Sequence, residues 1–216
     1  MTTDYSQKIL GFDIGGTNMR VGVVQNKKIG KIVIEKIEDK NNKESVLNQL
    51  YGIIEKIWTE DIVAFGIGVP GIVDVENGII YDTVNIPSWK EVHLKRVLEK
   101  KYNRPVFINN DANCFALGEK YYGQAIASNS MVGLITGTGM GAGLVLNNRL
   151  YSGRNCAAGE LGELPYLDHN YEYYCAGGFF EATWGVSAFE TFQKCEQNDP
   201  VALERMKIYG NQLLKV

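Results

Sequence analysis

The chain has 216 residues, of which 45% are hydrophobic and 22% charged, and its formal net charge is −3. This composition excludes disordered and collagen-like architectures and is sufficient for one large domain or two small ones. The scattered, slightly negative charge gives no sign of a surface for nucleic acid or membrane, so small molecules are the expected partners. The polar N-terminus and the lack of a stretch of roughly 20 apolar residues predict no secretory signal and no membrane span, and therefore a cytoplasmic location.

Three short apolar segments near the N-terminus predict an antiparallel meander. They are KILGFDI (8–14), MRVGVVQ (19–25) and KIVIEK (31–36), and turn-rich connections join them. The next segment, 44–58, carries apolar residues at helical spacing, which predicts a helix with one face buried against this sheet. The nearly continuous apolar run IVAFGIGVPGIVD (62–74) predicts a buried central strand.

The middle of the chain continues the alternation of helix and strand. Ser88 and Glu91 have the spacing of a capping box for a helix over about 89–102. PVFINN (105–110) predicts a strand, which is followed by a helix closed by Gly123. This alternation predicts an α/β fold.

Near the end of the chain, Asp199 and Pro200 have the residue types of a helix N-cap and first helical position. The four cysteines lie far apart and form no C-x-x-C pair, which favours buried, reduced thiols over disulfides or a zinc knuckle. They are Cys114, Cys156, Cys175 and Cys195.

A weak internal repeat relates the first meander to a later segment. LGFDIGGTNMRVGVV (10–24) and MVGLITGTGMGAGLV (131–145) share six identities in register. They are Ile14/Ile135, Gly16/Gly137, Thr17/Thr138, Met19/Met140, Gly22/Gly143 and Val24/Val145. The favoured interpretation is two similar lobes, each with a phosphate-binding hairpin, and the alternative is two unrelated glycine-rich hairpins.

The residue types of these turns suit phosphate binding. Glycine allows successive backbone N–H groups to point at one anion, and threonine adds a hydroxyl donor. Asp13, directly before the first turn, would repel a phosphate unless a cation such as Mg²⁺ lay between them. Asp111, at a strand-to-helix junction, is a candidate general base for phosphoryl transfer, and a helix N-cap is its alternative role.

Several of these motifs together resemble the ROK family of bacterial sugar kinases and sugar-responsive repressors. The resemblance covers about residues 9–181 and is carried by DIGGTN, GIGVPGIVD, NIPSW, INNDAN and the long segment GLITGTGMGAGLVLNNRLYSGRNCAAGELGE. It implies an actin-like ATPase (ribonuclease H-like) α/β fold with two lobes, each with a phosphate-binding β-hairpin. The expected lobes are residues 1–110 and an incomplete second lobe over 111–216.

The resemblance also assigns roles to individual residues. Asp111 would be the catalytic base that activates the sugar hydroxyl. The expected phosphate-binding residues are Asp13, Gly15, Gly16, Thr17, Thr138, Gly139 and Gly141. The expected sugar-binding residues are Asn110, Glu160, Glu163 and Glu181, with Gly71, Thr83 and Asn85 as weaker candidates for the pocket floor. Asn, Asp and Glu acceptors suit the many hydroxyl donors of a hexose, although solvated side chains or local turn contacts are their alternative roles.

The sequence departs from the family pattern at the zinc motif. Glu163 replaces a histidine that binds zinc and usually touches the sugar, and YEYYCAGGFFE retains only Cys175 of three cysteines. A zinc ion needs about four N or S ligands, so we expect no structural zinc. His169 is expected to be an ordinary loop histidine. The tyrosines of this region could instead brace the loop by packing, or simply be core. They are Tyr166, Tyr171, Tyr173 and Tyr174.

Family members also continue past residue 216 with a segment that contacts the nucleotide. The leading expectation is an ATP-dependent kinase that uses Mg-ATP to phosphorylate a hexose, with glucose as the default acceptor and other hexoses or N-acetylhexosamines as alternatives. The first rival is a sugar-binding regulatory protein with impaired or no kinase activity. A DNA-binding repressor is not expected, because only 12 residues precede Asp13. A homodimer is implied by the resemblance alone.

Overall fold

The computed structural model describes residues 4–83, 85–154 and 156–216. The strands are β1 (Lys8–Ile14), β2 (Asn18–Gln25), β3 (Lys28–Lys36), β4 (Ile62–Val69), β5 (Ile72–Asp74), β6 (Ile79–Tyr81), β7 (Glu91–Val92), β8 (Val106–Asn110), β9 (Met131–Thr136), β10 (Met140–Leu146), β11 (Arg149–Tyr151), β12 (Pro165–Tyr166) and β13 (His169–Asn170). The helices are α1 (Lys43–Glu55), α2 (Leu94–Tyr102), α3 (Asp111–Tyr122), α4 (Tyr171–Cys175), α5 (Gly178–Trp184), α6 (Ala188–Glu196) and α7 (Pro200–Leu213), and a 3₁₀ turn spans Leu161–Glu163.

The largest sheet has five strands in the order β3-β2-β1-β4-β8. β1, β2 and β3 form an antiparallel meander, as predicted, whereas β4 runs parallel to both β1 and β8. The apolar run 62–74 is divided rather than being one strand. β4 lies inside the sheet, Gly71 turns the backbone with φ +88, and β5 joins a separate three-stranded sheet with β6 and β7.

Helix α1 confirms the predicted amphipathic helix. The Asn42 side chain accepts hydrogen bonds from the backbone N–H groups of Glu44 and Ser45, which satisfies two donors that a helix start leaves free. The apolar residues of its inner face are buried in the main core, namely Val46, Leu47, Leu50, Ile53 and Ile54. Each such side chain contributes about 1.5–3 kcal/mol through removal of apolar surface from water.

The predicted capping box at Ser88 and Glu91 is wrong. Helix α2 begins only at Leu94, and Glu91 lies in β7, which pairs with β6. Trp89 is fully buried, and its carbonyl accepts a hydrogen bond from the N–H of Thr83. Burial of this large aromatic side chain and pairing of β7 therefore prevail over the local capping signal, which is worth only about 1 kcal/mol.

Helix α3 connects the main sheet to the second hairpin. It begins directly at the end of β8, ends at Gly123 as predicted, and packs against β9 and β10. A Cβ on Gly143 of β10 would lie 2.5 Å from the carbonyl oxygen of Ala112, so only glycine permits this approach of helix and strand. The end of β8 is thereby held beside the turn of the second hairpin.

The C-terminal region consists of short helices. Asp199 caps α7 by accepting a hydrogen bond from the N–H of Ala202 at 2.8 Å, and Pro200 is its first residue, as predicted. Leu203 of this helix is 47% exposed. All four cysteines are free thiols, as expected, but only Cys156 and Cys175 are buried, whereas Cys114 and Cys195 are partly exposed. None of the helices in the described ranges combines the length and apolarity that a membrane crossing requires.

Candidate active site

The first hairpin presents a charged pair beside its glycine turn. Ile14 of β1 pairs with Met19 of β2, and the turn between them is closed by a hydrogen bond from Gly15 N to Asn18 O at 3.0 Å. Directly before this turn, Asp13 accepts a hydrogen bond from Arg20 Nη1 across the hairpin at 2.6 Å, and both side chains are about half exposed. The Asp13 carboxylate therefore remains accessible to a ligand.

Gly16 makes room for a different part of the chain. A Cβ at this position would lie 2.2 Å from the Cβ of Asn85, a contact that only glycine avoids. Asn85 therefore lies against the first hairpin turn, which also carries the exposed Thr17. This contact explains the second glycine of DIGGTN independently of any phosphate.

The second hairpin has a tighter turn. Thr136 pairs with Met140, and Gly137 N donates to Gly139 O at 2.8 Å. Glu172 of α4 supports this turn, because its Oε2 atom accepts a hydrogen bond from Met140 N at 2.8 Å. A Cβ on Gly139 would lie 2.7 Å from the same oxygen, so the glycine is needed for the contact.

Gly141 lies inside β10 rather than in the turn. A Cβ there would lie 3.3 Å from the Cβ of Ala112, the second residue of α3. This glycine therefore also serves the packing of the helix against the hairpin, in addition to any contact with phosphate.

Asn110, at the end of β8, is the N-cap of α3. Its side-chain oxygen accepts hydrogen bonds from Ala112 N at 2.9 Å and Asn113 N at 3.3 Å. Its Nδ2 atom donates to the carbonyl of Gly71 at 3.2 Å. The alternative role considered for Asp111, the helix N-cap, thus belongs to its neighbour, and Asp111 is the first residue of the helix.

The pocket-floor candidates Gly71 and Thr83 lie side by side. A Cβ on Gly71 would lie 3.9 Å from the Cα of Thr83. Thr83 is 3% exposed, and its hydroxyl has no hydrogen-bond partner within the described part of the chain. A buried hydroxyl without a partner is costly, which suits a position that meets a polar ligand.

The surroundings of Asp111 raise the pKa of its carboxyl group. Burial raises the pKa of this carboxyl above its ordinary value, and the negative charge of Asp13 raises it further, against the lowering effect of a 2.9 Å hydrogen bond from Ala112 N. Asp13 also lines one cavity together with Asn109 of β8 and Cys114 of α3, the two elements that meet at Asp111. A carboxylate with a raised pKa is a stronger proton acceptor than an ordinary one.

Glu160 is held against the second hairpin by the glycines on either side of it. The carbonyl of Gly159 accepts a hydrogen bond from Ala142 N at 2.9 Å, and its backbone has φ +96. A Cβ on Gly159 would lie 1.9 Å from the Ala142 carbonyl oxygen, and one on Gly162 would lie 2.6 Å from that of Met140. The segment AGELGE therefore needs both glycines to lie on β10.

The carboxylates of this region form one electrostatic group. Burial raises the pKa of Glu160, and the charges of Glu163, Asp111 and Glu172 raise it further, in that order. Asp111 is thus coupled electrostatically to Asp13 of the first hairpin, and Glu160 is coupled to Asp111 and Glu163. Concentrated negative charge of this kind favours ligands that supply hydroxyl donors or a cation.

Glu181 lies in a neighbouring cavity. It lines a volume of about 570 Å³ together with Thr138, Gly137 and apolar side chains of α6 and α7. Thr138 also lines a second cavity of about 440 Å³ with Glu172 and Tyr173. The exposed threonine of the second hairpin therefore borders both cavities, and Glu181 lines only the first of the two.

Aromatic side chains fill the region where the family pattern places zinc. The rings of Tyr166 and Tyr171 stack with centroids 4.5 Å apart, and His169 stacks on Tyr173 at 3.9 Å. The tyrosines thus brace this loop by packing, as one of the two interpretations held. Within residues 4–83, 85–154 and 156–216, no group of three or more His, Cys, Asp or Glu side chains has metal-binding geometry.

Several residues of the site were not predicted from the sequence. Glu172 and Arg20 carry no motif of their own, although the hairpin register would have placed Arg20 opposite Asp13. Asn109 and Cys156 are joined by a hydrogen bond from the thiol to the amide oxygen at 3.2 Å. No local sequence pattern predicts this contact, because the two partners are 47 positions apart in the chain.

Two glycine-threonine hairpins, a mixed five-stranded sheet and a helix that starts beside both turns define an actin-like ATPase fold. Residues 9–215 match the family model described as "ROK family", so the chain belongs to the ROK family. It is 40% identical over 188 residues to a glucokinase from Thermotoga maritima, which covers 86% of this chain and 59% of that protein. An N-acetyl-D-glucosamine kinase from Photobacterium profundum is 40% identical over 157 residues, 70% of this chain and 50% of that protein. The chain thus spans little more than half the length of these relatives.

Solved structures agree with this assignment. A ROK hexokinase from Thermus thermophilus superposes with a TM-score of 0.74 at 32% identity, covering 92% of this chain and 72% of that one. A ROK family glucokinase from Streptomyces griseus, in complex with glucose and AMPPNP, gives a TM-score of 0.80 over 95% of this chain and 76% of that one. Its identity of 24% makes it a likeness of fold alone.

Proposed function

We propose that the chain carries the sugar- and phosphate-binding machinery of an ATP-dependent sugar kinase that transfers the γ-phosphoryl group to a hexose hydroxyl. The observation that carries the proposal is the position of Asp111. Its partly buried carboxyl lies at the start of α3, within electrostatic reach of Asp13 on the first hairpin and of Glu160 beside the second. Phosphoryl transfer needs a base, hydrogen-bond donors to the phosphates and neutralisation of phosphate charge, all close to one another.

In the proposed reaction, a sugar hydroxyl oxygen attacks the γ-phosphorus as the bond from that phosphorus to the bridging oxygen of ADP breaks. Asp111 accepts the hydroxyl proton, and ADP leaves with the bond electrons. The N–H groups and threonine hydroxyls of the two hairpins hold the phosphates. The contribution of the protein is mainly positioning and electrostatic stabilisation.

The donor set fits a magnesium ion brought in with ATP. Mg²⁺ prefers oxygen ligands and usually keeps several of its waters, and it would neutralise phosphate charge. Asp13 is half exposed and holds only Arg20 among its described partners, so its carboxylate can turn towards such a hydrated ion. Thr17, on the same turn, is exposed and can donate to a phosphate oxygen.

The sugar would lie between the junction of β8 with α3 and the segment that carries Glu160. Glu160 and Glu163 would accept hydrogen bonds from sugar hydroxyls, and Thr83 and Gly71 would form the floor beside Asn110. Glucose and N-acetylglucosamine are the first acceptors to test, because the similar proteins from Thermotoga maritima and Photobacterium profundum are kinases of these two sugars. Glu163, in place of the family histidine, favours an acceptor that presents a hydroxyl donor there.

A sugar-binding regulatory role is the second candidate. It is favoured by a 33% identical xylose repressor from Caldicellulosiruptor bescii, matched over 76% of this chain and 42% of that protein. This role requires sugar binding without phosphoryl transfer. Retention of Asp111 and of both hairpin threonines favours the kinase.

ADP formation with Mg-ATP and a panel of hexoses and N-acetylhexosamines tests the proposal, together with calorimetric titration of each sugar. We expect sugar-dependent turnover that Asp111→Asn lowers by about 10³-fold, since general base catalysis contributes roughly 10²–10⁴. Asp199→Asn is the matched control, because it makes the same change at the start of α7. Sugar binding without turnover in the unmodified chain would select the regulatory role.

A further inference from the structure

Cys156 has an unfavourable backbone conformation and a polar contact at once. Its φ angle of +62 lies in the left-handed region that favours glycine, and the side chain is 3% exposed. A non-glycine residue in this region costs of order 1 kcal/mol or more, which surrounding contacts must offset. Two kinds of contact can do so, namely packing of the side chain in the main hydrophobic core and the thiol hydrogen bond to Asn109 Oδ1 at 3.2 Å.

The acceptor of this hydrogen bond, Asn109 Oδ1, joins three parts of the chain. Asn109 Oδ1 also accepts hydrogen bonds from Asn110 N at 2.9 Å and from Asn113 Nδ2 at 3.0 Å. It therefore connects the end of β8 to the first turn of α3. The thiol adds a third connection, from the segment that follows β11.

Cys156 precedes Glu160 by four residues, and the segment between them has a second anchor on β10. That anchor is the backbone pairing of Gly159 with Ala142 described above. One end of the segment is thus fixed to the second hairpin and the other to β8, which ends at Asn110, directly before Asp111. The thiol contact links this segment directly to the β8–α3 junction, where Asp111 lies.

We propose that Cys156 is a positioning residue, which ties the Glu160 segment to the β8–α3 junction through Asn109 and so sets the separation of Glu160 from Asp111. The thiol is suited to this contact at neutral pH. Burial raises its pKa, and the charge of Glu160 raises it further, although hydrogen bonds from Asn110 and Asn113 act in the opposite direction. The proton remains on sulfur as the hydrogen-bond donor.

The tether can be tested separately from catalysis with two replacements. Cys156→Gly removes the donor and accepts φ +62 without strain, so the fold is retained. Cys156→Ser keeps a donor of similar size. Amide hydrogen exchange over residues 157–163 should become about tenfold faster in the glycine variant and return to within threefold of the original in the serine variant, a range set by one ordinary hydrogen bond. Cys195→Ala is the matched control, because Cys195 lies on α6, away from this junction.

The functional consequence rests on the proposed kinase function and has its own readout. Cys156→Gly should weaken binding of the acceptor sugar about tenfold and leave the dissociation constant of AMPPNP unchanged, and Cys156→Ser should restore sugar binding. Unchanged exchange over 157–163, or an equal increase throughout the chain, would overturn the tether. A chain that binds no sugar would refute the proposed function, while the exchange rates would still decide whether Cys156 holds this segment.

Discussion

The two hairpins, β1–β2 and β9–β10, share a sequence pattern but differ by one residue in their turns. Four residues, 15–18, separate the paired Ile14 and Met19, whereas three residues, 137–139, separate Thr136 and Met140. Side chains alternate between the two faces of a strand. Because the second turn is one residue shorter, residues that share a face across the first hairpin align with residues that lie on opposite faces of the second. The aligned sequences therefore do not present equivalent side chains.

This difference determines what each hairpin can do. In the first hairpin Asp13 lies opposite Arg20, and the pair is half exposed. In the second, Gly141 aligns with Arg20 but lies opposite Ile135, and it faces Ala112 of α3. The first hairpin thus has an exposed charged pair at this position, whereas the second packs against helix α3 there. We infer that the first hairpin contributes the metal-linked carboxylate, whereas the second contributes backbone and threonine hydroxyl donors but no carboxylate.

The largest effect is expected from the charged position that only one hairpin has. Asp13→Asn should lower kcat/KM for Mg-ATP by about 10²–10³-fold, the usual loss when one electrostatic group at a reacting centre is removed. The free energy of unfolding should change by less than about 1 kcal/mol, because the ion pair with Arg20 is half exposed. Steady-state kinetics and urea unfolding measure the two quantities.

Leu134→Asn provides the matched change at the aligned position of the second hairpin. It should leave kcat/KM for Mg-ATP within a few-fold of the original value. An equal loss in the two variants would contradict the division of roles between the hairpins.

The next effect concerns packing rather than charge. Gly143→Ala should lower the free energy of unfolding by about 1–3 kcal/mol, because the new Cβ would lie 2.5 Å from both the Ala112 carbonyl oxygen and the Ala116 Cβ. Gly22→Ala, at the aligned position, should cost under about 1 kcal/mol, since its nearest neighbours are side-chain atoms of Ile29 and Ile32 at 3.3 and 3.4 Å. Urea denaturation of both variants measures this difference, and similar costs would show that α3 does not depend on glycine at the second hairpin.

The sequence predicted the elements better than their registers and contacts. Amphipathic spacing found α1, and glycine turns found both hairpins, because these signals are local. The start of α2 was wrong because burial of Trp89 and pairing of β7 depend on distant parts of the chain. The resemblance singled out Asp13, Asp111 and Glu160, and their site roles stay predictions; in the structure the charge of Asp13 raises the pKa of Asp111, and the charge of Asp111 contributes to the raised pKa of Glu160.

The contacts that support the site could not be predicted in this way. Glu172 reaches the N–H of Met140 across 32 residues, and Cys156 reaches Asn109 across 47. Such contacts exist only after α3 and the C-terminal segments have packed on β10. The sequence contains both partners of each contact but no spacing that connects them.

A smaller and more balanced effect is expected from the two threonines that the hairpins share. Thr17→Val and Thr138→Val should each lower kcat/KM for Mg-ATP by about tenfold, because each removes one hydroxyl donor worth about 1–1.5 kcal/mol. Both side chains are exposed, so neither change should lower the melting temperature appreciably. The same panel of enzyme assays measures the losses. A loss confined to Thr17→Val would indicate that only the first hairpin contacts phosphate.

The smallest effect is a shift in pH dependence. The pKa of Asp111 lies above its ordinary value of 3.8 because of burial and the charge of Asp13. Below that raised pKa the carboxyl holds its proton and cannot accept another, so kcat/KM should fall on the acid side at a higher pH than an exposed aspartate would give. Asp13→Asn removes a negative charge, which lowers the pKa of Asp111 and moves this acid limb to lower pH.

The protonation of Asp111 should affect stability and activity in opposite directions, because the protonated form is favoured in the folded state but cannot accept a proton. A carboxyl with a raised folded-state pKa binds its proton more tightly when folded, so its contribution to stability is greatest at low pH and is lost as pH rises through the raised value. Asp111→Asn removes this loss and should raise the melting temperature at pH 7 while it abolishes the acid limb. Glu181→Gln should leave the limb in place, because Glu181 is not among the groups that shift Asp111. An acid limb that Asp13→Asn leaves unmoved would show that the charge of the first hairpin does not act on Asp111.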